Sequence, residues 1–193
     1  MTYQGENIFN SNGSLVKIKS EVEGRSFSSN STKLLKHLDK LERLQQGKSP
    51  SPVMAHISLT NACNLTCSFC CFANRDISEK LPTEKVLQAL DSFKKIGVTG
   101  VEFTGGGEPS IHPDFKEIVK YAKDLGFSLG ICTNGARFGM DRPIKKDIVE
   151  LFDWVRLGMY GFYEGYEYDL SVFQGTNCKP SAAYVWDENL ETS

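Results

Sequence analysis

The chain has 193 residues, of which 40% are hydrophobic and 24% are charged, and its formal net charge is −2 at pH 7. This is an ordinary composition for a water-soluble protein with enough apolar surface to build a core. The small negative charge excludes a basic surface that would attract nucleic acid or anionic membrane. No apolar run approaches the ~20 residues of a membrane span, and the amino terminus has no apolar leader. We therefore expect a cytoplasmic protein without nucleic-acid or membrane partners.

Two segments precede the regular part of the chain. Residues 1–30 are rich in Ser, Asn, Gly and charge, which predicts a flexible tail, either mobile or docked. Residues 31–50 predict an amphipathic helix with an apolar face packed on another part of the protein. Ser31 or Thr32 can cap its start, and Gly47 can end it. The leucines that recur at helical spacing are Leu34, Leu35, Leu38, Leu41 and Leu44.

Strands and helices alternate from residue 52 onward. The predicted strands are "VMAHISL", "VTGVEF", "FSLGIC" and "DWVRLGM". The predicted helices between them are "LPTEKVLQALDSFKKIG", "HPDFKEIVKYAKDLG" and "PIKKDIVELF". Short connections between such elements favour parallel strands with right-handed crossovers. The fold class is therefore α/β, an open layer or a partial (β/α) barrel of about four units, within one core domain at residues 51–193.

The stretch after the fourth strand, "YGFYEGYEYDLSVF", is rich in aromatic residues but has no regular period. Aromatic side chains more often fill cores than line sites, so we interpret this stretch as a loop packed against the barrel. A substrate-facing aromatic wall is the alternative. The aromatic residues are Tyr160, Phe162, Tyr163, Tyr166, Tyr168 and Phe173.

The loops that follow the predicted strands have unusual compositions. They read "CNLTCSFCC", "TGGGEPS", "TNG" and "YGFYEG", in chain order. In parallel α/β folds these loops emerge together at the carboxyl edge of the sheet, where functional sites are built. The sequence therefore predicts that cysteines, glycines and a carboxylate meet at one edge.

The first loop holds four of the six cysteines within nine residues. Cys63, Cys67 and Cys70 are spaced C-x3-C-x2-C, and Cys71 follows directly. A disulfide framework would spread its cysteines over distant segments, and a structural zinc site would need a second pair elsewhere. Adjacent cysteines tend to point apart, so we expect Cys71 to be a buried thiol behind the loop. Three thiolates on a [4Fe–4S] cube would leave one iron open, while a zinc or purely structural cluster is the alternative.

From about Pro52 to Leu157 the sequence resembles the radical S-adenosylmethionine (SAM) enzymes. Their cysteine signature is present as Cys63, Cys67 and Cys70, with the usual aromatic residue at Phe69. The resemblance implies a six-unit barrel in which the open iron binds SAM, whose reductive cleavage gives a 5′-deoxyadenosyl radical that abstracts hydrogen from a substrate. It also implies an electron donor such as flavodoxin or ferredoxin, and an adenine near Phe69, which otherwise packs under the loop.

The second loop carries the residues Gly106, Gly107 and Glu108. Consecutive glycines allow the backbone to approach a ligand closely. A phosphate cradle would place Lys after them, whereas a Glu repels phosphate and attracts an ammonium group. The family's GGE motif looks the same and is associated with the amino group of SAM. The alternative is a solvated turn.

The third loop places Thr133 and Asn134 at the end of a strand, where they can contact a ligand or simply form an Asn-Gly turn. Cys132 and Cys178 are isolated, so we interpret them as plain thiols and expect no auxiliary cluster. No residue is assigned a catalytic role. The scattered histidines, also without an assigned role, are His37, His56 and His112.

The chain departs from the family pattern after the fourth strand. Where the family often has a Ser and an acidic residue for the SAM ribose, this chain has Gly158 and Tyr160. A six-unit barrel also needs two more units than the four predicted here. We therefore expect a fragment, a truncated product, or a half-barrel completed by a second chain. The alternatives to a SAM-cleaving enzyme with an unknown substrate are a truncated, non-catalytic iron–sulfur module and a zinc-binding interaction domain.

Overall fold

The computed structural model describes residues 37–138, 143–160 and 168–185, together with the backbone of three short strands between residues 3 and 16. The chain divides into two compact units, Met1–Pro50 and Ser51–Ser193. Among the described helices, none combines the length and apolar composition that crossing a bilayer requires.

The first unit contains a small antiparallel sheet and one helix. The strands are β1 (Tyr3–Gln4), β2 (Asn7–Phe9) and β3 (Leu15–Val16), in that order. These strands lie within the segment predicted as a flexible tail, whose flexibility stays a prediction. The helix α1 (Leu38–Gln45) follows His37 and covers the described part of the leucine pattern.

The end of α1 agrees with the sequence, because Gly47 adopts a φ of +70° and its amide donates to the carbonyl of Leu44. No residue of α1 is buried, and Leu38 and Leu44 are more than half exposed. The packing of the leucine face stays a prediction. The remaining predicted positions lie outside the described residues, namely Ser31, Thr32, Leu34 and Leu35.

The second unit is built on a five-stranded parallel sheet with the strands in sequence order. The strands are β4 (Met54–Ile57), β5 (Gly100–Phe103), β6 (Ser128–Thr133), β7 (Trp154–Gly158) and β8 (Lys179–Ala183). The helices are α2 (Thr83–Lys95), α3 (Phe115–Asp124) and α4 (Lys146–Val149). Each crossover adds a strand beside the preceding one, as in a barrel. The predicted α/β class with a partial parallel barrel is confirmed.

The fifth strand, β8, corrects the predicted count of about four units. It pairs in parallel with β7 from Trp154↔Lys179 to Gly158↔Ala183. Its sequence, "KPSAA", has no large apolar residue and contains Pro180, so it carries none of the usual strand signals. The proline is compatible with its place at the end of the strand order, because edge strands tolerate a missing amide donor.

The core lies between the sheet and the helices. Phe103 is fully buried on β5, and its ring meets those of Phe115 and Phe152 edge to face at centroid distances of 6.4 Å. The other buried residues that the strands contribute are Ile57, Val101, Leu129, Ile131, Val155 and Leu157. Those that the helices contribute are Val86, Leu90, Phe115, Ile118, Val119, Ala122, Ile148 and Val149. This packing fixes the strand ends that carry the loops of the site.

Candidate active site

The loops that follow β4 to β7 surround a cavity of about 430 Å³ at the carboxyl edge of the sheet. Its size lies in the range of small-molecule and cofactor sites. The residues predicted from the sequence that border it are Cys63, Cys67, Phe69, Cys70, Gly106, Gly107, Glu108, Thr133 and Asn134. The fold therefore brings all the predicted site residues to one place.

The cysteine loop forms one wall of this cavity. Cys63, Cys67 and Cys70 are half-buried and form no disulfide. The loop is anchored by Leu65, which is buried, and by a turn in which the Cys70 amide donates to the carbonyl of Cys67 at 3.1 Å. Cys71 also borders the cavity but is exposed, so its predicted place as a buried thiol behind the loop is wrong.

The three signature thiols border the same cavity. Among the residues that the structure describes, no three His, Cys, Asp or Glu side chains are grouped so that they could hold one metal ion. A structural zinc ion needs that convergence. A [4Fe–4S] cube binds each cysteine through a different iron, so its ligands are spread around a larger body. Three thiols that form no disulfide and border one cavity are the kind of ligand set that a [4Fe–4S] cube takes.

The glycines of the second loop pack against the start of the cysteine loop. A side chain at Gly107 would overlap the carbonyl oxygens of Thr60 and Ala62, and one at Gly106 would come within 2.8 Å of the Asn61 side chain. The amide next to Gly107, that of Glu108, donates to the carbonyl of Ala62 at 2.8 Å. The sequence predicts that these glycines let the backbone approach a ligand closely. They also let the two loops pack closely against each other, which fixes the position of the cysteine loop relative to the sheet.

Glu108 is buried, with only 2% of its surface exposed. Its Oε1 accepts hydrogen bonds from the Ser110 amide at 3.0 Å and the Thr133 hydroxyl at 2.7 Å. Its Oε2 accepts one from the Asn134 amide at 2.7 Å. The alternative of a solvated turn is therefore wrong. The carboxylate ties the loop after β5 to the end of β6, and Oε2 retains capacity for a further donor.

Thr133 and Asn134 form the other side of this connection. The Thr133 hydroxyl also accepts from the Gly135 amide at 3.1 Å. The Asn134 amide side chain donates to Oδ1 of Asn64 at 2.9 Å and lies 3.6 Å from the sulfur of Cys63. Gly135 has a φ of +72°, so the Asn-Gly turn is present. The turn is therefore part of the site, because its residues form hydrogen bonds with Glu108 and with the cysteine loop.

Aromatic residues close the side of the cavity near β7. The ring of Phe69 meets that of Tyr160 edge to face, with the ring centroids 5.2 Å apart. The Tyr168 hydroxyl donates to the carbonyl of Asn134 at 3.2 Å. These contacts agree with aromatic residues packed against the barrel. Phe162, Tyr163 and Tyr166 lie outside the described residues.

Arg75 is a site residue that the sequence pattern did not reveal. Its Nε donates to the carbonyl of Asn61 at 2.5 Å, and one terminal nitrogen donates to the carbonyl of Phe72 at 2.7 Å. The same nitrogen lies 3.5 Å from the sulfur of Cys70. A single arginine in the polar run "ANRDISEK" matches no pattern, so only the folded loop shows its role.

The inner face of the sheet continues the site below the loops. Glu102 accepts a hydrogen bond from the Cys132 thiol at 3.1 Å and pairs with Nδ1 of His56 at 3.1 Å. Burial, followed by the hydrogen bond to Glu102, raises the pKa of Cys132 to about 11, so this thiol stays protonated at neutral pH. Cys132 and Arg156 both border the cavity. Neither was predicted as a site residue.

The chain resembles known proteins over the part that carries this cavity. The family model of the Radical SAM superfamily matches residues 57–165. An S-adenosylmethionine-dependent nucleotide dehydratase of Selenomonas ruminantium is 34% identical over 98 residues, which are 51% of this chain and 35% of that protein. An Fe-coproporphyrin III synthase of Methanosarcina barkeri is 31% identical over 141 residues, which are 72% of this chain and 33% of that protein. The chain thus spans about a third of the length of these relatives.

The fold has a solved counterpart. The crystal structure of Streptococcus suis SuiB bound to the precursor peptide SuiA superposes with a TM-score of 0.55 at 20% identity, over 84% of this chain and 40% of that one. At this identity the match supports the fold alone.

A parallel barrel sheet, a three-cysteine loop and the family match over more than half of the chain together define the class: the protein belongs to the radical SAM superfamily. Members of this superfamily are enzymes that bind a [4Fe–4S] cluster and SAM.

Proposed function

We propose that Cys63, Cys67 and Cys70 hold a [4Fe–4S] cluster and that SAM binds beside it in the cavity at the carboxyl edge of the sheet. The observation that carries the proposal is that three thiols without disulfides form one wall of a cavity that Glu108 also borders. When bound, such a cluster supplies the electron for reductive cleavage of SAM to a 5′-deoxyadenosyl radical, which abstracts hydrogen from a substrate.

The other site residues orient SAM in this proposal. Glu108 receives the ammonium of the methionine moiety at Oε2, where one acceptor position remains beside the Asn134 amide. Thr133 and Asn134 hold that carboxylate in place. Because their hydrogen bonds are internal to the protein, the carboxylate is positioned before SAM arrives, which lowers the cost of binding.

The backbone of Gly106 and Gly107 provides a surface that SAM can approach closely, since both residues border the cavity without side chains. Phe69 offers an apolar surface for the adenine, and its edge contact with Tyr160 fixes the ring. These roles follow the family motif residue by residue and complete the proposed SAM site.

The partners of the reaction are a one-electron donor, such as flavodoxin or ferredoxin, and a substrate that the site does not identify. Cysteines that form no disulfide fit the reducing conditions of the cytoplasm, which we propose as the location. The described part of the barrel has five strands, and a six-unit barrel closes only with further strands, from more of the same protein or from a second chain.

The decisive test counts iron and 5′-deoxyadenosine in the same preparation. After anaerobic reconstitution, we expect about four irons per chain and thiolate-to-iron absorbance that the chain with serine at all three signature cysteines lacks. Addition of a reductant and SAM should then yield 5′-deoxyadenosine. Iron without the nucleoside would favour a non-catalytic iron–sulfur module, and tight zinc with no iron uptake would favour the interaction domain.

A further inference from the structure

Arg75 lies at the junction of the cysteine loop and the glycine loop. Its side chain is half-buried and borders the cavity. Its Cδ is the second-nearest atom to the position that a side chain at Gly106 would occupy, at 3.5 Å. The guanidinium contacts the backbone carbonyls of Asn61, before the first signature cysteine, and of Phe72, after the last. It therefore connects both ends of the loop.

Two carbonyls fix the guanidinium independently of the thiol that it approaches. The bonds to Asn61 and Phe72 measure 2.5 and 2.7 Å, which are shorter than the 3.5 Å between the terminal nitrogen and the sulfur of Cys70. Neither carbonyl carries a charge. No ion pair joins Arg75 to a carboxylate among the described residues. A full positive charge is thus held beside the sulfur of Cys70.

We propose that Arg75 raises the reduction potential of the cluster by donating an N–H group to the sulfur of Cys70. This inference rests on the proposed function, in which Cys70 is a cluster ligand. Hydrogen bonds to the sulfurs and the local net charge are among the factors that set the potential of an iron–sulfur cluster. Reduction adds one negative charge to the cluster, so a fixed cation next to a ligand sulfur stabilises the reduced form.

The step is a one-electron reduction without proton transfer. An external donor would supply the electron that the oxidised cluster takes up. No proton moves in this step, because arginine side chains in proteins are always charged. Arg75 acts through Cys70 and is therefore a positioning residue, whose contribution is a shift in potential and not a chemical group that reacts.

The test compares the midpoint potential of the cluster in the reconstituted parent and in three variants. These are Arg75→Gln, Arg75→Lys and the control Arg156→Gln. A redox titration followed by electron paramagnetic resonance measures each potential. Arg156 is the matched control because it is a second arginine at the same cavity and lies on β7, outside the cysteine loop. Arg75→Gln should lower the potential so that the ratio of reduced to oxidised cluster at a fixed solution potential falls about tenfold, a 59 mV shift for one electron.

Arg75→Lys keeps the charge but loses the forked geometry, so its potential should lie between those of the parent and Arg75→Gln. Iron content measured on each sample separates a change in potential from loss of the cluster. If Arg75→Gln takes up no iron, the test relies on Arg75→Lys. A midpoint potential of Arg75→Lys equal to that of the parent then overturns the proposal. A fully loaded Arg75→Gln that shifts no more than Arg156→Gln overturns it as well. A parent that binds no iron would overturn the proposed function and this inference together.

Discussion

The two faces of the parallel sheet differ sharply in what they carry. The helix-facing side of β5 to β7 bears buried apolar residues such as Phe103, Ile131 and Val155. The opposite face bears Glu102, with its partners His56 and Cys132, and the exposed cation Arg156. Parallel sheets are normally covered on both sides. The second face of this sheet is polar and partly exposed, which is typical of a barrel interior that opens into a site.

Residues that alternate along the same strand therefore have different roles. Phe103 and Glu102 are neighbours in sequence, yet one packs among aromatic rings and the other holds a histidine and a thiol. Substitutions on the helix side should lower the free energy of unfolding. Substitutions at the cavity and its loops should change the binding of the cofactors and leave much of the fold intact.

Serine in place of Cys63, Cys67 or Cys70 should have the largest effect, the complete loss of a stable cluster. A cube held by three thiolates cannot lose one of them and remain bound. Cys71→Ser is the matched control, since this thiol lies outside the spacing, and it should leave the cluster in place. Iron content and absorbance after anaerobic reconstitution measure both. A Cys71→Ser protein that lacks iron, beside a loaded Cys70→Ser protein, would show that the ligand set is wrong.

Phe103→Ala should produce the largest loss of stability without touching the cofactor ligands. The residue is fully buried between Phe115 and Phe152, and such a truncation costs about 3–5 kcal/mol through lost transfer energy and a cavity. Urea denaturation of the iron-free protein measures this. The control is Phe72→Ala, at a phenylalanine that is 48% exposed, for which we expect a change within about 0.5 kcal/mol. Equal losses in the two variants would contradict the assignment of the core to the helix side.

Glu108→Gln should weaken SAM binding ~10- to 150-fold in a cluster-loaded protein. The carboxylate is proposed to meet the ammonium of SAM, and a hydrogen bond to a charged group contributes on the order of 1.5–3 kcal/mol. Glutamine keeps the size of the side chain, and iron content should not change. Equilibrium binding of SAM measures the effect, with the exposed Glu117→Gln on α3 as a control.

Glu108 also has a structural role, because it accepts hydrogen bonds from Ser110, Thr133 and Asn134. A thermal melt of Glu108→Gln without SAM isolates that contribution. If the variant melts lower but binds SAM as tightly as the parent, the carboxylate serves the loops alone and has no contact with the cofactor.

The sequence predicts the parts of this protein that follow from spacing and period. Four strands could be located because strand and helix patterns alternate as in parallel α/β folds. The C-x3-C-x2-C and GGE loops could be located as short motifs that follow two of these strands. The strand β8 could not, since "KPSAA" is polar, short and interrupted by Pro180, and only pairing with β7 makes it a strand. Arg75 could not either, because its importance comes from carbonyls that the fold brings to it.

The smallest predicted effect is a dependence of stability on pH at the helix-facing core. Cys178 is buried at the start of β8, and burial raises its pKa from 9.0 to about 12. Between these values the thiol ionises in the unfolded chain while it stays protonated in the folded protein. The unfolded state then binds fewer protons, so the free energy of unfolding falls as the pH rises from about 9 to 12, by at most about 1.4 kcal/mol per unit. Below pH 9 this contribution is fully present.

Urea denaturation at pH 8 and pH 10 measures this effect. The free energy of unfolding should decrease less between the two pH values for Cys178→Ala than for the parent, because alanine removes the ionisation whatever it costs in packing. Parallel decreases in the two proteins would mean that the Cys178 thiol reaches water in the folded state, and that the sheet is less tightly covered next to β8 than next to β5.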